Sequence, residues 1–100
     1  MKETSDVSNK KYYVYVILSL KDLKLYIGYT TNLKERLISH ALGKNIATKN
    51  RRPLKLIYYE YFVNLADAKS REVFLKSGGG HLQLKKLMPK TLQELKYKFL

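Results

Sequence analysis

Cysteine and tryptophan are both absent from this 100-residue chain, and aspartate and glutamate together number only 8. Without cysteine there is no disulfide and no thiolate metal site. Glycine and proline are sparse, at 5 and 2 residues. There is no Gly-rich phosphate loop ending in Gly-Lys-Ser/Thr and no His-x-x-x-His helix pair. No apolar run approaches the length of a membrane span, so no membrane partner is expected. The first eleven residues are polar and lack the apolar core of a signal peptide. A cytoplasmic, nucleoid-associated location is the expectation.

Positive charge is abundant. Lys and Arg number 20, which leaves a formal net charge of +12. A field of that sign attracts polyanions, and nucleic acid is the usual partner. A chain of this length makes one domain with one core. Residues 1–11, with Glu3, Thr4, Ser5, Asp6, Ser8 and Asn9, are expected to form a flexible arm, and 12–100 a single folded domain.

The pattern along the chain predicts an α+β fold. Tyr12–Ser19 is β-branched and aromatic and apolar on both faces, as a central strand is. A polar turn over Leu20–Leu23 leads into a second strand, Lys24–Gly28, giving an antiparallel hairpin. Gly28 is expected in a tight turn. Asn32 is placed to cap a helix, with Glu35 completing a capping box and Gly43 as the stop, over about Leu33–Leu42. Leu33, Leu37 and Ile38 form its apolar stripe. A basic loop, Gly43–Pro53, precedes a third strand, Leu54–Phe62. Asn64 caps the next helix, which Gly78–Gly80 is expected to end. A short basic helix over His81–Met88 follows, and Thr91 with Glu94 predicts a last helix over about Leu92–Phe99. The order β-β-α-β-α-α-α makes a three-stranded antiparallel sheet flanked by helices.

Polar groups on these elements are candidates for chemistry. Arg36 and His40 are four apart on one helix, off the stripe made by Leu33 and Leu37, and Tyr26 ends the strand that feeds it. A surface cation and a partly buried histidine are the plainer reading of that pair. Of the nine tyrosines, Tyr15 and Tyr26 sit on adjacent strands and can pair across the hairpin. Glu72 shares a helix face with Leu65, Ala68 and Leu75, so its carboxylate needs a partner. Lys76 offers an i,i+4 ion pair; a hard cation such as Mg²⁺ is the alternative.

Tyr13-Val14-Tyr15, Tyr26-Ile27-Gly28, Arg36, His40 and Glu72, in this order and spacing, resemble the GIY-YIG nuclease superfamily. Asn50-Arg51-Arg52-Pro53-Leu54-Lys55-Leu56 and Arg71-Glu72-x-x-Leu75-Lys76 are similar to its small single-domain bacterial branch. The likeness covers about Tyr12–Met88. The first motif carries Tyr13 and Val14 where the family has glycine and isoleucine, and retains its tyrosine as Tyr15. The resemblance implies a divalent-metal-dependent endonuclease that hydrolyses DNA phosphodiester bonds in repair or processing. It implies Tyr26 as general base or water-positioning group supported by Tyr15, and His40 orienting the tyrosine or shuttling a proton. Arg36 would stabilise charge on the phosphate, and Glu72 would hold a single Mg²⁺ or Mn²⁺. Lys44, Lys49, Arg51 and Arg52 in the loop, with Lys85 and Lys86, would touch the DNA backbone. A catalytically weak nucleic-acid-binding module of the same fold, or a basic protein that binds structured RNA, are the alternatives.

Overall fold

The strand that both layers pack on is β1, Tyr12–Ser19, which from Val14 to Ser19 is buried throughout. The computed structural model describes residues 10–97. β2 (Leu25–Thr30), α1 (Leu33–Ala41), a 3₁₀ turn (Lys49–Arg51), β3 (Leu54–Phe62), α2 (Leu65–Leu75), α3 (Gly78–Leu87) and α4 (Pro89–Glu94) follow. The sheet order is β2-β1-β3, with both pairings antiparallel, so the predicted α+β architecture and central strand are observed.

Alternation along β1 explains the two layers. Val14 and Val16, with Ile27 of β2, pack on Ala68, Leu75 and Leu84 of α2 and α3. Each of these valine, isoleucine and leucine side chains contributes about 1.5–3 kcal/mol when fully buried. The other face carries Tyr13, Tyr15 and Ile17, and α1 lies over part of it. Asn32 and Asn64 cap α1 and α2 as predicted, their side chains accepting from Glu35 N and Asp67 N at 3.1 Å each.

Two helix boundaries differ from expectation. Gly78–Gly80 opens α3 rather than ending α2, because Ser77 is an N-cap whose hydroxyl accepts from Gly80 N at 3.1 Å. A Cβ on Gly80 would come within 2.1 Å of the Phe74 carbonyl oxygen, so this glycine permits the close α2–α3 corner. The last helix begins at Pro89 and not Leu92, since proline suits a first turn whose N–H groups lack partners anyway. Its described part ends at Glu94; Phe99, like residues 1–9 of the expected arm, lies outside the described residues.

Two ion pairs set the site's framework. Arg71 holds Glu60 of β3 through Nε and Nη2 at 2.8 and 2.7 Å, and Tyr58 donates to the same carboxylate at 2.5 Å. This clamp fixes the rotation of α2 about its axis, and so the direction of the next residue, Glu72. Arg51 binds Asp22 of the hairpin turn through Nε at 2.6 Å and donates to the carbonyls of Lys24 and Leu25. Its hydrogen bond holds the Asp22 carboxyl down to about 2. The folded-state value lies below the unfolded one, so the stabilisation is complete above about pH 4 and fades as pH falls toward 2. Asp22→Asn should therefore be less stable at neutral pH and lose less stability across that acid window. Urea denaturation at a series of pH values measures this; parallel acid limbs for the two proteins would refute it.

Candidate active site

Gly28 is the residue that lets the site form. It lies within β2, directly opposite Tyr15, and not in the expected turn. A Cβ at this position would meet Tyr15 Cζ and its hydroxyl at 2.4 Å. The bare glycine lets the Tyr15 ring lie across β2, which is an edge strand. Gly28→Ala should cost about 1–3 kcal/mol by overpacking and displace the tyrosine. Urea denaturation would report this, and the loss should shrink when Tyr15→Ala has removed the ring. An alanine variant as stable as the parent would sink the idea.

The Tyr15 hydroxyl lies 2.8 Å from Nε2 of His40, and Nδ1 of His40 lies 2.7 Å from the Thr48 hydroxyl. All three residues are buried. A neutral imidazole carries one proton, so the ring donates to one hydroxyl and accepts from the other. Tyr15–His40–Thr48 is thus a continuous hydrogen-bonded chain. The ring of Tyr26, half-buried, completes the cluster edge-on to His40 at 5.3 Å between centroids, with Tyr15 at 6.3 Å.

His40 is a correction to the sequence reading. It is 1% exposed, the buried member of α1, while Ile38 of the expected core stripe is exposed. The reason is helical arithmetic: His40 is seven residues after Leu33 and three after Leu37, which returns it to the inner side of the helix. Thr48 was not singled out at all. The loop's other uncharged β-branched residue, Ile46, is 90% exposed, so sequence alone does not separate the two.

Electrostatics separate the groups. Burial, then the neighbouring Tyr26 and Glu72, push the Tyr15 phenol up to about 12, although the Arg36 cation pulls it down. Burial and Arg36 lower the His40 pKa, so the ring is neutral near pH 7. Arg36 of α1 thus lies close enough to hydrogen-bond the Tyr15 hydroxyl, and the charge of Glu72 reaches it from α2, although α2 packs on the opposite face of the sheet. Tyr15, Tyr26 and His40, from β1, β2 and α1, therefore meet in direct contact, and the charges of Arg36 and Glu72 act on the Tyr15 hydroxyl.

Glu72 is 16% exposed, and its Oε2 is 3.1 Å from Nζ of Lys76, itself 54% exposed. The plain i,i+4 pair is present, but the lysine is free to swing into solvent. Among the described residues no three His, Asp or Glu gather as a metal cluster. A shielded carboxylate whose partner is an exposed lysine fits an ion that takes its other ligands from substrate phosphate and water, as Mg²⁺ and Mn²⁺ do.

The basic residues divide. Arg51 is committed to Asp22 and two carbonyls, and Arg52 donates to the carbonyls of Lys49 at 3.0 Å and Ala41 at 3.2 Å. The structure thus uses both arginines to tie the loop down, Arg52 closing the end of α1 beside Gly43 (φ +75°). Lys44, Lys49 and Lys86 are exposed, whereas Lys85 is half-buried. Lys85 and Lys86 are carried on α3, which packs against α2 and away from the Tyr15 face.

A three-stranded antiparallel sheet with tyrosines on its first two strands, an arginine on the first helix and a glutamate on the second is the arrangement of the GIY-YIG nuclease superfamily. The model of the GIY-YIG catalytic domain matches residues 11–83, and the chain belongs to this family. Among small bacterial relatives, a UPF0213 protein of Clostridium perfringens is 40% identical over 86 residues, covering 85% of this chain and 91% of its own. One from Staphylococcus haemolyticus is 42% identical over 76 residues, with coverage of 75% and 92%, respectively. One from Pediococcus acidilactici is 43% identical over 83 residues, with coverage of 80% and 84%. No solved structure matches. Among the described residues, no helix is long and apolar enough to cross a membrane.

Proposed function

We propose that this protein is a divalent-metal-dependent endonuclease that hydrolyses DNA phosphodiester bonds, acting in DNA repair or processing from the cytoplasm. What supports this reading is the contact cluster of Tyr15, Tyr26 and His40 beside Gly28, with the charges of Arg36 and Glu72 acting on the Tyr15 hydroxyl. In this reading Tyr26, the less buried tyrosine, orients the attacking water or, as the phenolate after its own proton has passed to solvent, takes the water's proton. Tyr15 keeps its own proton near neutral pH, and its hydroxyl, fixed by His40 and Thr48, holds the tyrosine pair in register. Arg36 binds the non-bridging oxygens of the phosphate, where a planar guanidinium suits two oxygens as negative charge builds. Glu72 would hold the Mg²⁺ or Mn²⁺, which when bound polarises the phosphate and stabilises the leaving oxygen. The exposed Lys44 and Lys49 would engage the backbone without reading sequence.

A second reading, a weakly catalytic nucleic-acid-binding module, is favoured by the Lys76 ammonium already paired with Glu72. Labelled linear, nicked and branched DNA incubated with Mg²⁺, with Mn²⁺ and with chelator separates the two. Cleavage that requires metal and is absent in Glu72→Ala supports the nuclease. Salt-sensitive binding by both proteins, with no cleavage by either, supports the module. A preference for structured RNA over every DNA would displace both.

A further inference from the structure

The helix α1 covers only half of its sheet face. Over the β2 side it buries Tyr15 through His40, but toward β3 it leaves Tyr59 50% and Tyr61 49% exposed. On a strand whose neighbour β1 is buried, two half-exposed tyrosines on one face are an unpartnered aromatic surface. Tyr13 joins them into a cluster, with ring centroids 5.9 Å from each. Between this cluster and α1 runs an open groove of about 570 Å³, floored by Tyr13 and Tyr59 and walled by Leu33, Leu37 and Ile38.

Two further observations identify the occupant. Among the described residues, the charged ones lining this groove and the hollow beside it are Lys34, Lys10 and Lys11, all cations. Lys11 also sits over the Tyr61 ring, 5.7 Å from its centroid. Apolar rings edged by positive charge suit a planar apolar group carried on an anionic chain. The groove is also next to the candidate active site. Tyr59 pairs directly with Tyr15 across β1 and β3, and α1 presents Leu33 and Leu37 to the groove while presenting His40 to Tyr15.

We infer that this groove is a stacking platform for unpaired bases, a binding site beside the candidate active site that takes single-stranded DNA of any sequence. A base within a duplex has both faces covered by its neighbours and cannot use the platform; an unpaired base of any sequence can. The inference rests on the proposed function only in taking DNA as the polyanion, and the platform itself does not need cleavage.

Binding measured in chelator keeps the two apart. The probe is a short duplex with a single-stranded oligo-dT tail containing one 2-aminopurine, alongside a blunt duplex of equal charge. The parent should bind the tailed DNA about tenfold or more tighter than the blunt one, and quench the 2-aminopurine. Tyr59→Leu with Tyr61→Leu keeps apolar bulk but removes the π faces; it should lose the quenching and the preference while binding blunt duplex as before. Tyr59→Phe with Tyr61→Phe should retain both. Equal affinity of the parent for the two DNAs, or quenching that survives the leucine pair, overturns the platform. So does a dimer in sedimentation that the leucine pair dissolves, since a second copy would then be the occupant. If the platform behaves as stated but no metal-dependent cleavage occurs, the nuclease reading fails and the platform stands as a single-strand binding site. Cleavage without stacking gives the reverse result.

Discussion

Arg36→Ala will lower the single-turnover rate of DNA cleavage by about 10³-fold and leave the domain folded. The size follows from where the side chain acts. Hydrolysis concentrates negative charge on the phosphate oxygens, and a guanidinium already held beside the Tyr15 hydroxyl by α1 meets that charge without rearranging. The fold should survive because Arg36 is only half-buried, and the helix that carries it is anchored by His40 and by the Asn32 cap. Arg36→Lys should recover only part of the rate, since a single ammonium cannot grip two oxygens. The alanine change also removes a cation that lowers the His40 pKa, so the imidazole should titrate at higher pH in the variant; NMR of the ring reads that directly. A rate loss below tenfold in the alanine protein, at full binding of DNA, would remove Arg36 from the chemistry.

Glu72→Gln should abolish metal-dependent cleavage, by about 10³-fold or more, with a change in stability of about 1 kcal/mol or less. The glutamine keeps the shape and one carbonyl oxygen but not the charge that a hard divalent cation requires. Its partner Lys76 is mostly in solvent, and an ion pair of this kind contributes little to folding. Lys76→Met is the companion test. If the carboxylate matters only as the lysine's partner, both changes should have the same small effect. If it holds a cation, Lys76→Met should leave cleavage intact or improve it by freeing the carboxylate, while Glu72→Gln eliminates it. Isothermal titration of Mn²⁺ into both variants supplies a readout independent of cleavage. Cleavage retained by Glu72→Gln would end the metal role.

Local chemistry is what the sequence conveyed well. Tyr12–Ser19 was readable as a central strand because it is apolar at both parities, and Leu54–Phe62 because aromatic and β-branched residues run between a proline and an asparagine cap. Asn32 and Asn64 announced two helix starts, since a cap is made within three residues. The third helix start was missed for a related reason. Ser77 is an equally good cap, but three consecutive glycines read as a stop until the Gly80 backbone is seen pressed against Phe74 and Leu75.

By itself, then, the sequence determined the α+β class, the family, the basic character and the identity of the five residues proposed for the site. Each of these depends on composition, on a period or on an ordered set of motifs. Tertiary structure alone decided how those residues are used. Whether His40 lies on the surface or is buried between two hydroxyls depends on Tyr15 and Thr48, which lie 25 and 8 residues away along the chain. Whether Arg51 meets DNA or a carboxylate depends on Asp22, 29 residues distant. Gly28 serves a tyrosine ring on the neighbouring strand rather than a turn. The physical reason is common to all three: backbone propensity acts within one turn of chain, but the desolvation of a polar side chain is offset only by whatever the fold places against it.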